Sequence, residues 1–314
     1  MTRLDPESEA GLADYLATAG PPGGTLRERR EQWDRAARED NQRRGNDLLV
    51  SSHDMLAPGT ADVRVPLRVY RPRRGVALSP AILLIHGGGM VMGSLETEDR
   101  AAREICSVLD VVVVSVGYRL APEHPYPAAL NDCADAYAFL RTRAADLKID
   151  PDRLAVVGGS AGGGLALALA LRLRDLNRPL PRLVLAAYPM LDDRRDTQSM
   201  CRLEPMGIWD QEDNEEAWTA YLGGVIADQY AAPARAESLA ELPPVFLDVG
   251  DHDLFRDEAM LFASRLTQAG VPTEFHLYPG AFHASEEVAP NAALSQRIMA
   301  ARYAALERAF RAGR

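Results

Sequence analysis

A Gly-x-Ser-x-Gly turn at 158–162 constrains the fold of this 314-residue chain more than any other feature. A β-branched run that ends at Val157 leads into the turn, and a helix-forming run that begins at Leu165 follows it. Such a sharp turn forces Ser160 into strained backbone geometry, and only small residues at its two glycine positions let strand and helix approach closely. The pattern is typical of a nucleophile elbow, which exposes a serine hydroxyl at a helix N-terminus. A glycine-rich turn without chemistry would have the same composition, so this interpretation needs partners elsewhere in the chain.

The composition is typical of a globular protein that binds small neutral molecules. With 47% apolar residues, the chain can fill the core of one large α/β domain or of two small ones. Its formal charge of −10 argues against nucleic acid, because binding to phosphates requires a basic face. No apolar run reaches the roughly 18 residues of a membrane span.

The N-terminus lacks the basic start and apolar core of a secretory signal. The three isolated cysteines form neither a disulfide framework nor a Cys-x-x-Cys metal pattern. We therefore predict a cytoplasmic protein with no nucleic-acid and no membrane partner.

Short continuous apolar runs indicate strands that are buried on both faces. These runs are 81–85, 111–114, 154–157, 183–186 and 245–249, and an alternating run at 273–278 follows them. Helical patterns separate the runs, which predicts right-handed β-α-β units in a mostly parallel sheet with helices on both faces. Before them, 49–55 and 63–69 are expected to form an antiparallel hairpin at the sheet margin, where Pro66 suggests an edge position.

Two segments fall outside this alternation. Residues up to about Asn46 predict two amphipathic helices with a break at 21–24, too sparsely apolar to form a domain alone. They form either a solvated arm or half of a lid over a site. The second segment is the long connection before the strand at Val245, which includes a helix from about Asp210 to Leu222. A connection of that length inside a compact domain usually has a function.

The loop His86-Gly87-Gly88-Gly89 directly follows the predicted strand 81–85. Glycines at this point let two consecutive backbone N–H groups point at one spot, which suits a developing negative charge. The N–H group of Ala161 would complete a three-donor oxyanion hole. A tight glycine turn without that role is the alternative.

A serine nucleophile requires a base, and the base requires a group that fixes its tautomer. Asp253 lies just past one buried strand and His283 just past the next, at the edge of the sheet where ligands bind. The order Ser160, Asp253, His283 along the chain is the order of this fold class. Alternative residues for the acid and the base are Asp251, Asp257 and His252. A metal site at 251–253 is disfavoured, because adjacent residues on an extended chain point in alternating directions, and we predict no metal.

Together these motifs resemble the bacterial hormone-sensitive-lipase family of esterases. The motifs that carry the resemblance are His86–Gly89, Gly158–Gly163, Tyr118–Glu123 with Pro127-Ala128, and the Asp253 and His283 blocks. The resemblance runs from about Pro66 to the C-terminus. The chain departs from the family pattern at Gly159, where an acidic residue is usual, and at Gly164, where Asn is frequent. The first departure removes any substrate contact made by that acidic side chain.

The resemblance implies a serine carboxylesterase of the α/β-hydrolase fold that needs no cofactor and forms a homodimer. Ser160 is the implied nucleophile, Asp253 the orienting acid and His283 the base. The implied oxyanion donors are Gly88, Gly89 and Ala161, and His86 would brace the glycine loop. The implied domains are a helical cap, formed by 1–48 and 191–234, and a catalytic domain, formed by 49–190 and 235–314.

The expected substrates are small-molecule carboxylic esters with short to medium acyl chains, because a capped pocket suits these better than long chains. The candidate pocket residues are Met90, Met92, Met190, Leu203, Met206, Ile208, Trp209 and Phe282. The alternative for each of them is an ordinary position in the hydrophobic core. A lactonase, an amidase or an acyltransferase would use the same catalytic residues. A non-catalytic receptor on this scaffold would lack the base. A structural protein would have no need of catalytic residues at the ends of three strands.

Overall fold

The computed structural model describes residues 3–19, 23–45, 48–74 and 78–311, and within them one eight-stranded sheet lies between layers of helices. The strands are β1 (Val50–Pro58), β2 (Arg64–Pro72), β3 (Ser79–Ile85), β4 (Val112–Val116), β5 (Ile149–Gly159), β6 (Val184–Ala187), β7 (Val245–Gly250) and β8 (Thr273–Tyr278). Their order across the sheet is β1-β2-β4-β3-β5-β6-β7-β8. The β1–β2 and β2–β4 pairs are antiparallel and the others are parallel, which confirms the predicted α/β-hydrolase architecture.

The α-helices in the described residues precede, connect and follow these strands. They are α1 (Pro6–Ala19), α2 (Leu26–Arg44), α3 (Asp99–Leu109), α4 (Ala128–Thr142), α5 (Ala161–Asp175), α6 (Gln198–Arg202), α7 (Gln211–Leu222), α8 (Arg256–Gln268), α9 (Ser285–Val288) and α10 (Ala293–Arg311). The sequence patterns did not predict α6 and α9, because a helix of one turn is too short to show an apolar period. The predicted break at 21–24 falls between α1, which ends at Ala19, and α2, which begins at Leu26, although positions 21 and 22 lie outside the described residues.

Two apolar layers cover the two faces of the sheet. Leu83 points into the layer that contains α4 and α5, whereas its neighbour Ile82 points into the layer that contains α3 and α10. Both side chains are fully buried. The predicted strands lack alternation for this reason: consecutive side chains of a central strand all enter a core.

The position of Pro66 corrects one detail of the predicted hairpin. The edge strand is β1, and β2 lies between β1 and β4. However, β2 pairs with β4 only through 67–70, so Pro66 lies just before that ladder. Its carbonyl accepts a hydrogen bond from Gly117 N over 2.9 Å. A proline is tolerated there because its missing N–H group lies outside the β2–β4 pairing.

The N-terminal helices lie against the rest of the protein. Gly11 of α1 packs so closely on Ala289 that a Cβ at position 11 would lie 2.5 Å from the Ala289 Cβ. In α2, Arg30 donates hydrogen bonds to two backbone carbonyls, at Val91 and Ala121. These contacts place α2 over the loops that follow β3 and β4, at the carboxyl edge of the sheet.

No helix in the described ranges has the length and apolar character needed to cross a membrane. The cytoplasmic location and the homodimer stay predictions.

Candidate active site

Ser160 occupies the turn between β5 and α5, with φ 55° and ψ −122°. The flanking glycines are required by close backbone approach. A Cβ at Gly162 would lie 2.0 Å from the Ile85 carbonyl oxygen, and a Cβ at Gly158 would lie 2.3 Å from the Gly162 backbone. Real Cβ atoms do not approach backbone this closely. The backbone contacts at positions 158 and 162 therefore explain why the turn requires glycine at both positions, as the sequence predicted.

The structure brings Ser160, His283 and Asp253 together at the carboxyl ends of β5, β8 and β7. Ser160 Oγ lies 3.1 Å from His283 Nε2, although 123 residues separate the two in the chain. His283 Nδ1 lies 2.9 Å from Asp253 Oδ2. Asp253 is completely buried, and its other carboxylate oxygen accepts a hydrogen bond from Phe255 N over 2.9 Å. Both carboxylate oxygens are therefore fixed by hydrogen bonds.

The alternative acids and base have different partners. Asp251 Oδ1 accepts a hydrogen bond from Gly280 N over 2.7 Å. Asp257 Oδ2 accepts one from Ser199 N over 2.7 Å. His252 Nε2 lies 3.8 Å from Asp251 Oδ1. Within the part of the chain that the structure describes, no group of three or more His, Cys, Asp or Glu side chains is arranged to hold a metal ion.

The environment of His283 controls its protonation. Burial lowers the pKa of the imidazole, but the Asp253 carboxylate raises it by its charge and its hydrogen bond, and Glu286 and Glu287 raise it further. The net result is a pKa above the ordinary 6.5. The ring edge packs against Tyr188 at a centroid distance of 4.8 Å and against Phe255 at 5.3 Å. These contacts hold the ring in the orientation that the two hydrogen bonds require.

The glycine loop after β3 lies against the elbow. A Cβ at Gly87 would lie 3.5 Å from the Ser160 Cβ. Gly88 and Gly89 have φ values of +96° and +63°, a left-handed conformation that favours glycine. A Cβ at Gly89 would lie 2.4 Å from the Trp209 ring. The glycine loop thus contacts the serine through Gly87, and Ala161 begins α5 directly after the serine.

His86 braces this loop. Its ring stacks on Tyr118 at a centroid distance of 3.9 Å, and its Nδ1 donates to the Gly87 carbonyl over 2.8 Å. Tyr118 in turn donates its hydroxyl proton to the His86 carbonyl over 3.0 Å. Burial lowers the pKa of His86 to about 4, so the ring is neutral at neutral pH. A neutral, stacked imidazole suits the bracing role that the resemblance implied.

A narrow cleft with a cavity volume of about 10 Å³ lies beside His283. Its lining residues are Leu203, Glu204, Met206, Ile208, Trp209, Asp210, Gln211, His252, Leu254, Phe282 and His283. Five of the candidate pocket residues, at 203, 206, 208, 209 and 282, are among them. Met90 and Met92 do not line this cleft: Met90 is buried in the main core, and Met92 packs against it. Both lie in the loop after β3, and the Gly88 carbonyl accepts a hydrogen bond from Met92 N over 2.8 Å.

A family profile described as the α/β hydrolase fold matches residues 82–286. The chain belongs to the hormone-sensitive-lipase-like carboxylesterases of this fold. It is 38% identical over 215 residues to esterase LipI from Mycobacterium tuberculosis, and the match covers 67% of each chain. The structure of esterase LipW from Mycobacterium marinum has a TM-score of 0.90, 36% identity and coverage of 98% of this chain and 96% of that one. A bacterial heroin esterase has a TM-score of 0.91, 35% identity and coverage of 98% of both chains. The protein is a carboxylic ester hydrolase.

Two aromatic residues of this carboxylesterase border the site, and sequence reasoning missed both. Tyr188, the residue after β6, packs on the His283 ring, and its hydroxyl would lie 3.1 Å from a Cβ at Gly159. Trp33 of α2 lies 3.0 Å from the position of a Cβ at Gly88. For Tyr188, its position just after a predicted strand was a signal that it could lie near the site. For Trp33 the signal was one large aromatic residue in an otherwise charged helix.

Gly159, the residue before Ser160, has the Tyr188 side chain as its neighbour. The Tyr188 hydroxyl fills the space next to position 159 and donates to Glu287 Oε1 over 3.4 Å. Burial, and then the charge of Glu287, raises the pKa of Glu98 to about 8. The carboxyl group that the Tyr188 hydroxyl contacts therefore belongs to Glu287 of α9.

Proposed function

We propose that this carboxylesterase works through an acyl-enzyme formed on Ser160. The observation that carries the proposal is the hydrogen-bonded chain from Ser160 Oγ through His283 to Asp253, with distances of 3.1 and 2.9 Å. His283 accepts the serine proton as Ser160 attacks the ester carbonyl, and then gives that proton to the departing alcohol. A water molecule then attacks the acyl-enzyme in the same way, with His283 as the base, and this step releases the carboxylic acid and restores Ser160. Asp253 keeps the proton on Nδ1 and stabilises the imidazolium form.

The oxyanion of each tetrahedral intermediate would accept hydrogen bonds from the N–H groups of Gly88, Gly89 and Ala161. Support comes from the left-handed conformation of both glycines and from the contact between their loop and the elbow. Ala161 is the first residue of α5, so the positive end of the helix dipole also faces the charge. In other serine hydrolases, removal of one such hydrogen-bond donor lowers kcat by about 10²–10³-fold.

Residues 1–48 and 191–234 would act as a cap over the catalytic domain formed by 49–190 and 235–314. Support comes from Trp33 and Trp209, which cover the positions of Gly88 and Gly89. Esters with short to medium acyl chains suit the small cleft beside His283, since Met206, Ile208 and Phe282 limit its size. A series of p-nitrophenyl esters from acetate to dodecanoate tests this, and a maximum of kcat/KM at long chains would contradict it.

Replacement of Ser160 with Ala tests the chemical role. We expect p-nitrophenyl butyrate hydrolysis to fall by at least about 10⁴-fold, because the residual activity of triad variants comes only from binding and the oxyanion hole. Circular dichroism and the unfolding midpoint should stay close to those of the wild type. A fluorophosphonate probe should label the wild type on the peptide that contains Ser160 and leave the variant unlabelled. Full activity of the variant would overturn the assignment.

A further inference from the structure

The backbone next to His283 is strained on two segments. His283 lies in the connection between β8 and α9, and Ala284, which follows it, has φ +56°. Tyr188, which packs on the imidazole, has φ +34°. Residues with a Cβ rarely adopt such left-handed conformations, and they keep them only where the surrounding structure holds them. The position of the imidazole therefore depends on contacts that fix these two segments.

One side chain, Arg302 of α10, contacts both segments. Its Nη1 donates a hydrogen bond to Glu286 Oε1, two residues after Ala284. Its Cζ lies 5.3 Å from the centre of the Tyr188 ring, which is within the range of a cation–π contact. The opposite edge of the guanidinium binds both carboxylate oxygens of Asp248 in β7. Arg302 thus fastens the segment after the proposed base, and the ring beside it, to the central sheet.

The groups that Arg302 joins are buried. The exposed fractions are 8% for Arg302, 7% for Glu286, 1% for Asp248 and 5% for Tyr188. A guanidinium presents its N–H donors in a fixed planar fork and can also stack on an aromatic face. A lysine ammonium keeps the charge but lacks the planar fork. The network therefore requires the shape of arginine as well as its charge.

The charge that acts on His283 has a different source. Burial lowers the pKa of the imidazole, whereas Asp253, after β7, and Glu286 and Glu287 of α9 raise it. Arg302 donates its hydrogen bonds to carboxylates and packs on the tyrosine beside the imidazole. A substitution that keeps the positive charge can therefore disturb the position of the imidazole without changing the charges that face it.

We propose that Arg302 is a positioning residue for ester hydrolysis, which holds the His283 ring at the Ser160 hydroxyl by fixing α9 and Tyr188. The proposal rests on the proposed acyl-enzyme mechanism and adds to it a residue that acts through the base. Ser160 Oγ and His283 Nε2 lie 3.1 Å apart, and this is the distance that Arg302 would maintain. Loss of this role should lower kcat rather than raise KM, because proton transfer needs that distance.

Arg302→Lys tests the shape of the guanidinium, since this variant keeps the positive charge and loses the fork. With p-nitrophenyl butyrate we expect kcat to fall about 10–100-fold, because small misplacements of a reacting group have effects of this size. KM should change by less than about 2-fold. The pH midpoint of kcat/KM should equal that of the wild type, because every charge that faces the imidazole is kept. An unchanged kcat in the folded variant would overturn the proposal.

Glu286→Gln tests the charge separately. The amide keeps an oxygen that accepts the Nη1 hydrogen bond of Arg302, and it removes a negative charge that raises the pKa of His283. The pH midpoint should therefore move to lower pH, and kcat should fall less than in Arg302→Lys. The opposite division would overturn the proposal: a shifted midpoint with normal kcat in Arg302→Lys would show that this residue contributes only charge.

The matched control is Arg308→Lys on the same helix, because Arg308 forms an exposed ion pair with Glu274. It should keep both kcat and the pH midpoint. If circular dichroism shows that Arg302→Lys does not fold, Tyr188→Leu replaces it, since this variant removes the ring that contacts the guanidinium and the imidazole and leaves the ion pairs. It should lower kcat at an unchanged midpoint, and an unchanged kcat there would overturn the proposal.

The last comparison places Arg302→Lys in a His283→Ala background. A residue that acts through the base has no further effect once the base is absent, so the double variant should retain the residual activity of His283→Ala. A second loss as large as that in the wild-type background would overturn the proposal. Full activity of His283→Ala would overturn the proposed function and this role with it. Loss of activity in His283→Ala with normal kcat in Arg302→Lys would overturn the role of Arg302 alone.

Discussion

Arg302 holds Asp248 in a bidentate ion pair inside the protein, with its Nε and Nη2 atoms 2.6 and 2.9 Å from the two carboxylate oxygens. The guanidinium also binds Glu286, three residues after His283. Its Cζ lies 5.3 Å from the centre of the Tyr188 ring, which itself packs on His283. One arginine of α10 thus links β7, α9 and an aromatic residue beside the proposed base.

Replacement of Arg302 with Met should lower the free energy of unfolding by about 3–5 kcal/mol, because Asp248 and Glu286 would stay buried without their cation. The control is Arg311→Met, which removes an exposed ion pair with Glu307 and should cost less than about 0.5 kcal/mol. Urea denaturation at pH 7 measures both. Equal midpoints for the two variants would show that the buried network contributes little.

The pH dependence of activity should report His283. The base acts in its neutral form, so kcat/KM should fall as the pH drops through the His283 pKa, with a midpoint above 6.5. Asp253→Asn removes the carboxylate charge, after which burial lowers the pKa, and the midpoint should move to lower pH. Turnover should also fall by about 10⁴-fold, as it does in other triads that lose the orienting carboxylate.

Asp257→Asn is the matched control for that measurement, because the Asp257 carboxylate binds Ser199 N rather than the imidazole. Its midpoint should equal that of the wild type. A shift in this variant, with none in Asp253→Asn, would transfer the orienting role to Asp257.

Glu98 should make stability depend on pH. Its pKa in the folded protein is about 8, above the ordinary 4.5, because of burial and then Glu287. The folded state therefore binds more protons than the unfolded state between these values, so stability falls as the pH rises from 4.5 to 8. Glu98→Gln should be more stable than the wild type at pH 9 by more than about 1 kcal/mol, since one pKa unit corresponds to about 1.4 kcal/mol.

Thermal or urea unfolding of Glu98→Gln at several pH values measures this effect. At pH 4 the variant should lose its advantage over the wild type. Glu9→Gln, at an exposed position of α1, should show no such change with pH. A constant difference between Glu98→Gln and the wild type across the range would contradict the prediction.

A series of Gly→Ala variants should separate crowding at the elbow from ordinary packing. Gly162→Ala places a methyl group 2.0 Å from a backbone oxygen, and we expect at least about 3 kcal/mol of destabilisation and loss of activity. Gly159→Ala meets the Tyr188 hydroxyl at 3.1 Å, and the change should stay within about 1 kcal/mol, since a side chain can move by tenths of an ångström.

Gly23 completes the series as a control, because a Cβ there meets no atom of the described residues within 4 Å. Gly23→Ala should leave the urea midpoint and the hydrolysis of p-nitrophenyl butyrate unchanged. Equal effects at positions 162 and 23 would remove crowding as the reason for glycine at the elbow.

The sequence by itself determined the sheet and the elbow. The apolar runs at 81–85 and 154–157 predicted β3 and β5, because burial on both faces leaves a local pattern that needs no knowledge of neighbours. The turn around Ser160 was predicted because the requirement for glycine is also local. Asp253 and His283 followed from their positions after strands, since parallel strands end at one edge.

Only the tertiary structure decided what surrounds these groups. The distances within the proposed triad, the packing of Tyr188 on His283 and the raised pKa of Glu98 depend on residues far apart in the chain. Local patterns determine which elements form, whereas burial and electrostatics arise where elements from distant parts of the chain meet.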